Sequence, residues 1–261
     1  MSAPPFLDLP DGVRSARVRT ERAEFAVLEA GSAGPGAVFV PGWTGSKEDF
    51  VAILAPLADA GYRVVALDQK GQYETAGTAR ADDYTLPAFS TDLAQLIHEI
   101  GGPVHLVGHS FGGIVARRVA IAERDAVASL TLLGSGPGPA RADSHDLLRG
   151  MADAVRAIGL PATWAAKRAY ERSQGMAEPP PEIERFMQTR FLANHPLSIR
   201  AITLHLTTAE DVVDSLAATG VPVLVAFGAD DDGWPIAKEL LFSARIVEAG
   251  YEERRRLERD L

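Results

Sequence analysis

The run "PVHLVGHSFGGIVARRVAIAE" (103–123) leaves a chain little freedom. "PVHLVG" (103–108) reads as a short apolar strand, and "FGGIVARRVAIAE" (111–123) as an amphipathic helix that starts with no linker. A strand passing straight into a helix must reverse within a residue or two. Ser110 then sits on a sharp turn with strained dihedrals. Gly108 and Gly112, two before and two after it, remove the side chains that would clash where strand meets helix. The helix start sets unpaired N–H groups and the positive end of a dipole beside the hydroxyl. Ser110 is therefore a candidate nucleophile, and the N–H of Phe111 points where an oxyanion would form. The plain alternative is a structural turn whose serine does no chemistry. His109 reads as a packing residue, because neighbouring side chains on a tight turn diverge.

The rest of the chain supplies a setting for this junction. "EFAVLEA" (24–30), "GAVFV" (36–40), "YRVVALD" (62–68) and "ASLTLLG" (128–134) read as strands. "SKEDFVAILAPLADAG" (46–61) and "TLPAFSTDLAQLIHEIGG" (85–102) read as helices. Ser46 caps the first of these, which sets Phe50, Ile53, Leu54 and Leu57 on one face. Strand and helix in alternation imply a mostly parallel sheet covered on both faces. The texture changes at "GSGPGPARADS" (134–144), a hinge. From about 143 to 207 only helical patterns follow, in four pieces with prolines marking the breaks. Strand texture returns at "VPVLVAFG" (221–228) and "SARIVEA" (243–249). The expected fold class is α/β, with an all-helical cap inserted before the penultimate strand. The expected core is 1–135 with 208–261, and the cap is 136–207.

Composition narrows the function. A formal net charge of -9 over 261 residues argues against a nucleic-acid partner, which needs a basic face. With no cysteine, thiolate metal sites and a cysteine nucleophile are excluded. No metal-ligand, P-loop or dinucleotide motif appears, so no metal or organic cofactor is implied. The N-terminus has neither a basic start nor a long apolar run, and no stretch approaches a membrane span. A cytoplasmic protein with a small-molecule substrate and no membrane partner is the expectation.

"GHSFGG" resembles the nucleophile elbow of the α/β-hydrolase superfamily. "VFVPGWTGS" (38–46) resembles its oxyanion loop, with proline where a histidine is usual. The resemblance makes the N–H of Trp43 the second oxyanion donor. "ALDQKGQYE" (66–74) resembles the turn after the fourth strand in cap-bearing members, with Lys70 in place of arginine. Dehalogenases and epoxide hydrolases of the same fold use aspartate at the elbow, and the serine points away from them.

The resemblance also implies an acid and a base. After the cap, members show G-x-x-D-x-x-x-P, and "FGADDDGWP" (227–235) puts Asp231 at the acid position, with Asp230 the next choice. The alternative for the same stretch is a solvated turn that caps the next helix. The triad order Ser, Asp, His requires a histidine beyond Asp231. The chain's histidines are His98, His105, His109, His145, His195 and His205, and none follows it. Tyr251 falls where the histidine would sit. A phenol of pKa about 10 stays protonated at neutral pH and cannot serve as the base. His145, His195 and His205, in the insertion, are the substitutes to consider.

Two functions are expected on these grounds. One is a serine hydrolase acting on a small carboxylic ester or related acyl compound. The other is a hydrolase-fold protein of impaired turnover, a binding module or a form altered at its C-terminus. Trp164, Tyr170, Phe186, Met187 and Phe191, at helical spacing in the cap, either line a pocket or pack the cap on the core.

Overall fold

The computed structural model describes residues 2–228, Trp234, Phe242, Ser243 and Arg245. Within these residues seven strands form one sheet in the order β1-β2-β4-β3-β5-β6-β7. The strands are β1 (Val13–Arg19), β2 (Glu24–Ala30), β3 (Gly36–Val40), β4 (Arg63–Leu67), β5 (Val104–His109), β6 (Val127–Leu133) and β7 (Val223–Ala226). β4, β3, β5, β6 and β7 run parallel, and β1 and β2 join antiparallel at one edge. The mostly parallel α/β sheet expected from the alternation is present.

Alternation along each strand sorts the core into two layers. Val38 and Val40 of β3 face a cluster built with α2 (Leu86–Ile100) and α3 (Phe111–Ala122), which supply Phe89, Leu93, Ile114 and Val115. Ala37 and Phe39 face the opposite layer, where α1 (Val51–Asp59) contributes Val51 and Leu54. Every residue of β3 is buried, as a central strand covered on both faces must be.

α2 starts and stops where its sequence says. The Thr85 hydroxyl accepts the Ala88 N–H at 3.2 Å, and Gly101 follows its last turn. The helix expected over 46–61 divides instead. Lys47–Phe50 form a 3-10 turn ahead of α1, and Ile53 turns outward while Phe50 and Leu54 stay buried. The tighter turn offsets Ile53 from the apolar stripe that an unbroken helix would have made. β1 was not expected at all. Its three arginines hide the period of an edge strand whose outer face meets water.

Between β6 and β7 stand α4 (His145–Ser173), α5 (Pro181–Ala193) and α6 (Pro196–Thr208), followed by the short α7 (Val213–Ala217). α4 breaks at Gly159, where the expected boundary between two helical pieces lay. Arg117 of α3 is buried and stitches both crossings into this insertion. Its guanidinium donates to the Gly136 carbonyl at 2.6 Å on the way out and to the Glu210 carbonyl at 3.2 Å on the way back. Burial draws its pKa down to about 10.

One expected strand needs correction. Ser243 and Arg245 have helical backbone, so a strand does not begin at Ser243. Phe242 is buried in the core, and Arg245, one turn on, pairs with Asp211 and Asp214 at 2.9 and 2.7 Å. That division into an apolar and a charged contact one turn apart suits a helix. The remainder of 243–249 lies outside the described residues.

Candidate active site

Ser110 joins β5 to α3 with φ 51° and ψ −119°, a conformation that non-glycine residues rarely adopt. Such strain persists only where the surroundings impose it. Here the Ser110 N–H is bonded to the Leu133 carbonyl of β6 at 2.9 Å, and the Ser110 carbonyl accepts the Gly113 N–H at 3.0 Å. Close packing does the rest. A Cβ on Gly112 would lie 2.2 Å from the Val40 carbonyl oxygen, so the first turn of α3 can sit against the end of β3 only as glycine. A Cβ on Gly108 would likewise meet Gly113 Cα at 2.5 Å. Ser110 itself is half-buried. Phe111, first in α3, has no acceptor one turn back for its N–H.

The loop after β3 closes on this serine. A Cβ on Gly42 would lie 2.9 Å from Ser110 Cβ and 3.1 Å from His109 Nδ1, which brings the Gly42–Trp43 peptide beside the elbow. The loop after β4 fixes it from behind. Asp68 accepts the Lys47 N–H at 2.8 Å and the Lys47 ammonium at 3.0 Å. Gln69 Nε2 donates to the Pro41 carbonyl and Gln72 Nε2 to the Gly42 carbonyl, each at 2.9 Å. All four side chains are buried. Glu48 and Glu74 add ion pairs to Lys47 at 2.8 and 3.0 Å. Burial works against the Lys47 charge, but Asp68 and Glu48 outweigh it and hold the ammonium above its usual range. Burial pushes the Asp68 carboxyl up to about 7, with Lys47 pulling against it. The sequence offered "DQKGQYE" as a resemblance only. The work of Asp68, Gln69 and Gln72 appears once the two loops are side by side.

The insertion is anchored to the same region. Arg190 of α5 donates to Asp49 at 2.6 Å and to the Ser46 hydroxyl at 3.2 Å. Trp43 packs both against the sheet core and against the insertion cluster of Val155, Trp164, Ile183, Met187, Phe191 and Ile199. Of the large apolar positions singled out in the sequence, Trp164, Met187 and Phe191 thus pack the insertion. Tyr170 is exposed, and Phe186 stands edge-on to Tyr73 at 5.6 Å.

The histidines separate by partner. His98 pairs with Glu123 on the surface, and His105 with Ser129. His145 Nε2 meets the Ala140 carbonyl, and His195 Nδ1 accepts the Leu197 N–H at the start of α6. His205 Nε2 reaches the Tyr84 carbonyl at 2.8 Å while its ring stacks on Phe111 at 6.1 Å. Burial lowers the His205 pKa, and Arg118 adds to the effect. The three insertion histidines considered as substitute bases are each engaged with backbone groups. Asp230, Asp231 and Tyr251 lie outside the described residues. Trp234, three positions after Asp231, is buried and donates its indole N–H to the Gly138 carbonyl at 3.1 Å. Among the described residues no group of three or more histidines and carboxylates could hold a metal ion, and no helix is long and apolar enough to cross a membrane.

Known proteins resemble this chain in sequence and in fold. The chain is 32% identical over 203 residues, 73% of its length and 71% of the relative's, to RutD of Variovorax paradoxus, named a carbamate hydrolase in a form its own name marks as provisional. It is 28% identical over 228 residues to a non-heme haloperoxidase of Rhodococcus erythropolis, covering 80% of each chain. The solved esterase of Exiguobacterium antarcticum superposes with a TM-score of 0.74 over 91% of this chain and 88% of that one, at 18% identity, a likeness of fold. The model of the alpha/beta hydrolase family matches residues 37–257, from β3 through the elbow and the insertion. A parallel sheet, a strained strand–helix elbow and a match of that extent agree: this chain belongs to the alpha/beta hydrolase family.

Proposed function

We propose that the protein is a serine hydrolase of small carboxylic esters or related acyl compounds, with Ser110 as nucleophile. The observation that carries this reading is the Ser110 backbone, held at φ 51° and ψ −119° at the mouth of α3. A strained serine kept at a helix N-terminus, beside a loop packed against its Cβ, suits attack on a carbonyl. Ser110 Oγ gives up its proton, to a base or to solvent, as it bonds to the acyl carbon, and the carbonyl π pair moves onto its oxygen. The N–H groups of Trp43 and Phe111 receive that oxyanion. The C–O bond to the alcohol then breaks, the alcohol leaves with a proton, and water later releases the acid by the same two steps. Residues 136–207 act as a cap that selects the substrate, and Asp231 is the acid. The names of relatives and structural neighbours, an esterase and a carbamate hydrolase among them, favour acyl chemistry.

A second reading has its own observation. Residues 232–261 contain no histidine, and the three insertion histidines bond backbone groups. Without a histidine base the Ser110 proton passes to solvent. By analogy with serine proteases that cost is about 10⁶ in rate, leaving roughly 10³–10⁴ over water from the oxyanion hole and binding. On this reading the protein binds acyl compounds and turns them over slowly or not at all. A fluorophosphonate probe decides between them. Rapid stoichiometric labelling of Ser110, lost in Ser110→Ala, supports the hydrolase. Labelling no faster than that of a free serine leaves the binding protein.

A further inference from the structure

We propose that Gln72 is a positioning residue for the oxyanion site. It fixes and polarises one of the two peptides whose N–H groups would hold the developing charge, that of Trp43. The inference rests on the reading of Trp43 as an oxyanion donor.

A peptide unit is planar, so its C=O and its N–H turn together. The Gly42 carbonyl and the Trp43 N–H belong to one such unit. The Gly42 carbonyl accepts two hydrogen bonds, from Gln72 Nε2 at 2.9 Å and from the Gly45 N–H at 3.1 Å. With both lone pairs engaged, the unit cannot rotate without breaking both bonds. The second consequence is electronic. A donor on the carbonyl oxygen draws charge through the amide and makes its N–H a better donor, as in chains of hydrogen bonds. Glycine at 42 makes the restraint useful, since a glycine backbone is intrinsically freer than that of any other residue type.

Gln72 is placed to hold this task steadily. Its side chain is buried, and its own loop is pinned by the Gln72 N–H to the Gln69 carbonyl at 2.8 Å and the Thr75 N–H to the Gln72 carbonyl at 2.9 Å. The contact must come from the amide nitrogen, because a carbonyl oxygen in its place would face another acceptor. Gln69 serves as an internal comparison. It bonds the Pro41 carbonyl, one peptide earlier, and so steadies the loop without touching the Trp43 unit.

The test is the rate at which a fluorophosphonate labels Ser110, measured against probe concentration in the full-length protein. Gln72→Met keeps the side-chain length and removes the donor. Loss of a whole oxyanion donor costs about 10²–10³, so loss of its support should lower the maximal labelling rate roughly tenfold. The half-saturating probe concentration should stay unchanged, because the charge develops only in the transition state. Gln69→Met should lower the rate less. Gln72→Glu is the second variant, should Gln72→Met not fold. Its protonated carboxyl can donate to Gly42 and its anion cannot, so its rate relative to wild type should rise as pH falls. Wild-type protein that labels at Ser110, with Gln72→Met equally fast, overturns this proposal alone. Equal losses in Gln69→Met and Gln72→Met, or a Gln72→Glu ratio flat with pH, also overturn it. Wild-type protein that takes no label at Ser110 overturns the hydrolase reading and this proposal with it.

Discussion

Arg190 on α5 donates to the Asp49 carboxylate at 2.6 Å, and both side chains are closed off from solvent. The pair fastens the helical insertion to the 3-10 turn Lys47–Phe50, which follows the loop after β3. Arg190→Met leaves Asp49 buried without its counter-ion, which should cost about 3–5 kcal/mol of stability. Adding Asp49→Asn to that variant should recover part of the loss. Urea denaturation of the wild type, both single variants and the double variant checks this, and purely additive losses would count against a coupled pair.

Gly112 tolerates no side chain. Gly112→Ala places a methyl 2.2 Å from the Val40 carbonyl oxygen, where backbone cannot yield cheaply. Overpacking of this kind costs about 1–3 kcal/mol. The shift should also displace the Phe111 N–H, so labelling of Ser110 should slow along with the drop in melting temperature. A variant as stable and as reactive as wild type would refute the close packing described for the elbow.

Ser110 should carry a stability cost for its position. Its backbone suits glycine, and conformations of this sort cost non-glycine residues about 1–3 kcal/mol. Ser110→Gly should therefore raise stability by about 1 kcal/mol, the remainder being offset by glycine's larger loss of backbone freedom. It should abolish labelling. Ser110→Ala should abolish labelling with no such gain. Thermal unfolding of the two side by side reads the difference.

His205 makes stability depend on pH. Burial lowers its folded-state pKa below the ordinary 6.5. Below pH 6.5 the unfolded chain takes up this proton before the folded one does, so stability falls as pH drops through that range. His205→Gln keeps a donor for the Tyr84 carbonyl and does not titrate. Its stability should fall less steeply than wild type's from pH 7 to pH 5 in denaturant titrations. Parallel curves would remove His205 from the account.

The fold was legible where local rules act alone. Thr85 and Gly101 bound α2, Gly159 breaks α4, and the alternation of apolar strands with helices implies the parallel sheet. β1 was not legible because its arginines obey an edge strand's exposure rather than a core period. The division of 47–59 into a 3-10 turn and α1 was missed because Lys47 is committed to Asp68, a partner 21 residues away.

At the site the same boundary holds. Sequence alone determined that Ser110 stands between a strand and a helix, flanked by glycines, because steric exclusion acts between residues close in the chain. It also shows no histidine among residues 232–261. Only the tertiary structure decided what holds the Gly42–Trp43 peptide, what Arg190 is for, and where the insertion's histidines are bound. Those contacts join residues as far apart as Ser46 and Arg190, and no periodicity or spacing encodes a pairing across the sheet's upper edge. The bonds from Gln69 and Gln72 arise when β3 and β4 lie side by side and bring their two following loops within hydrogen-bond reach.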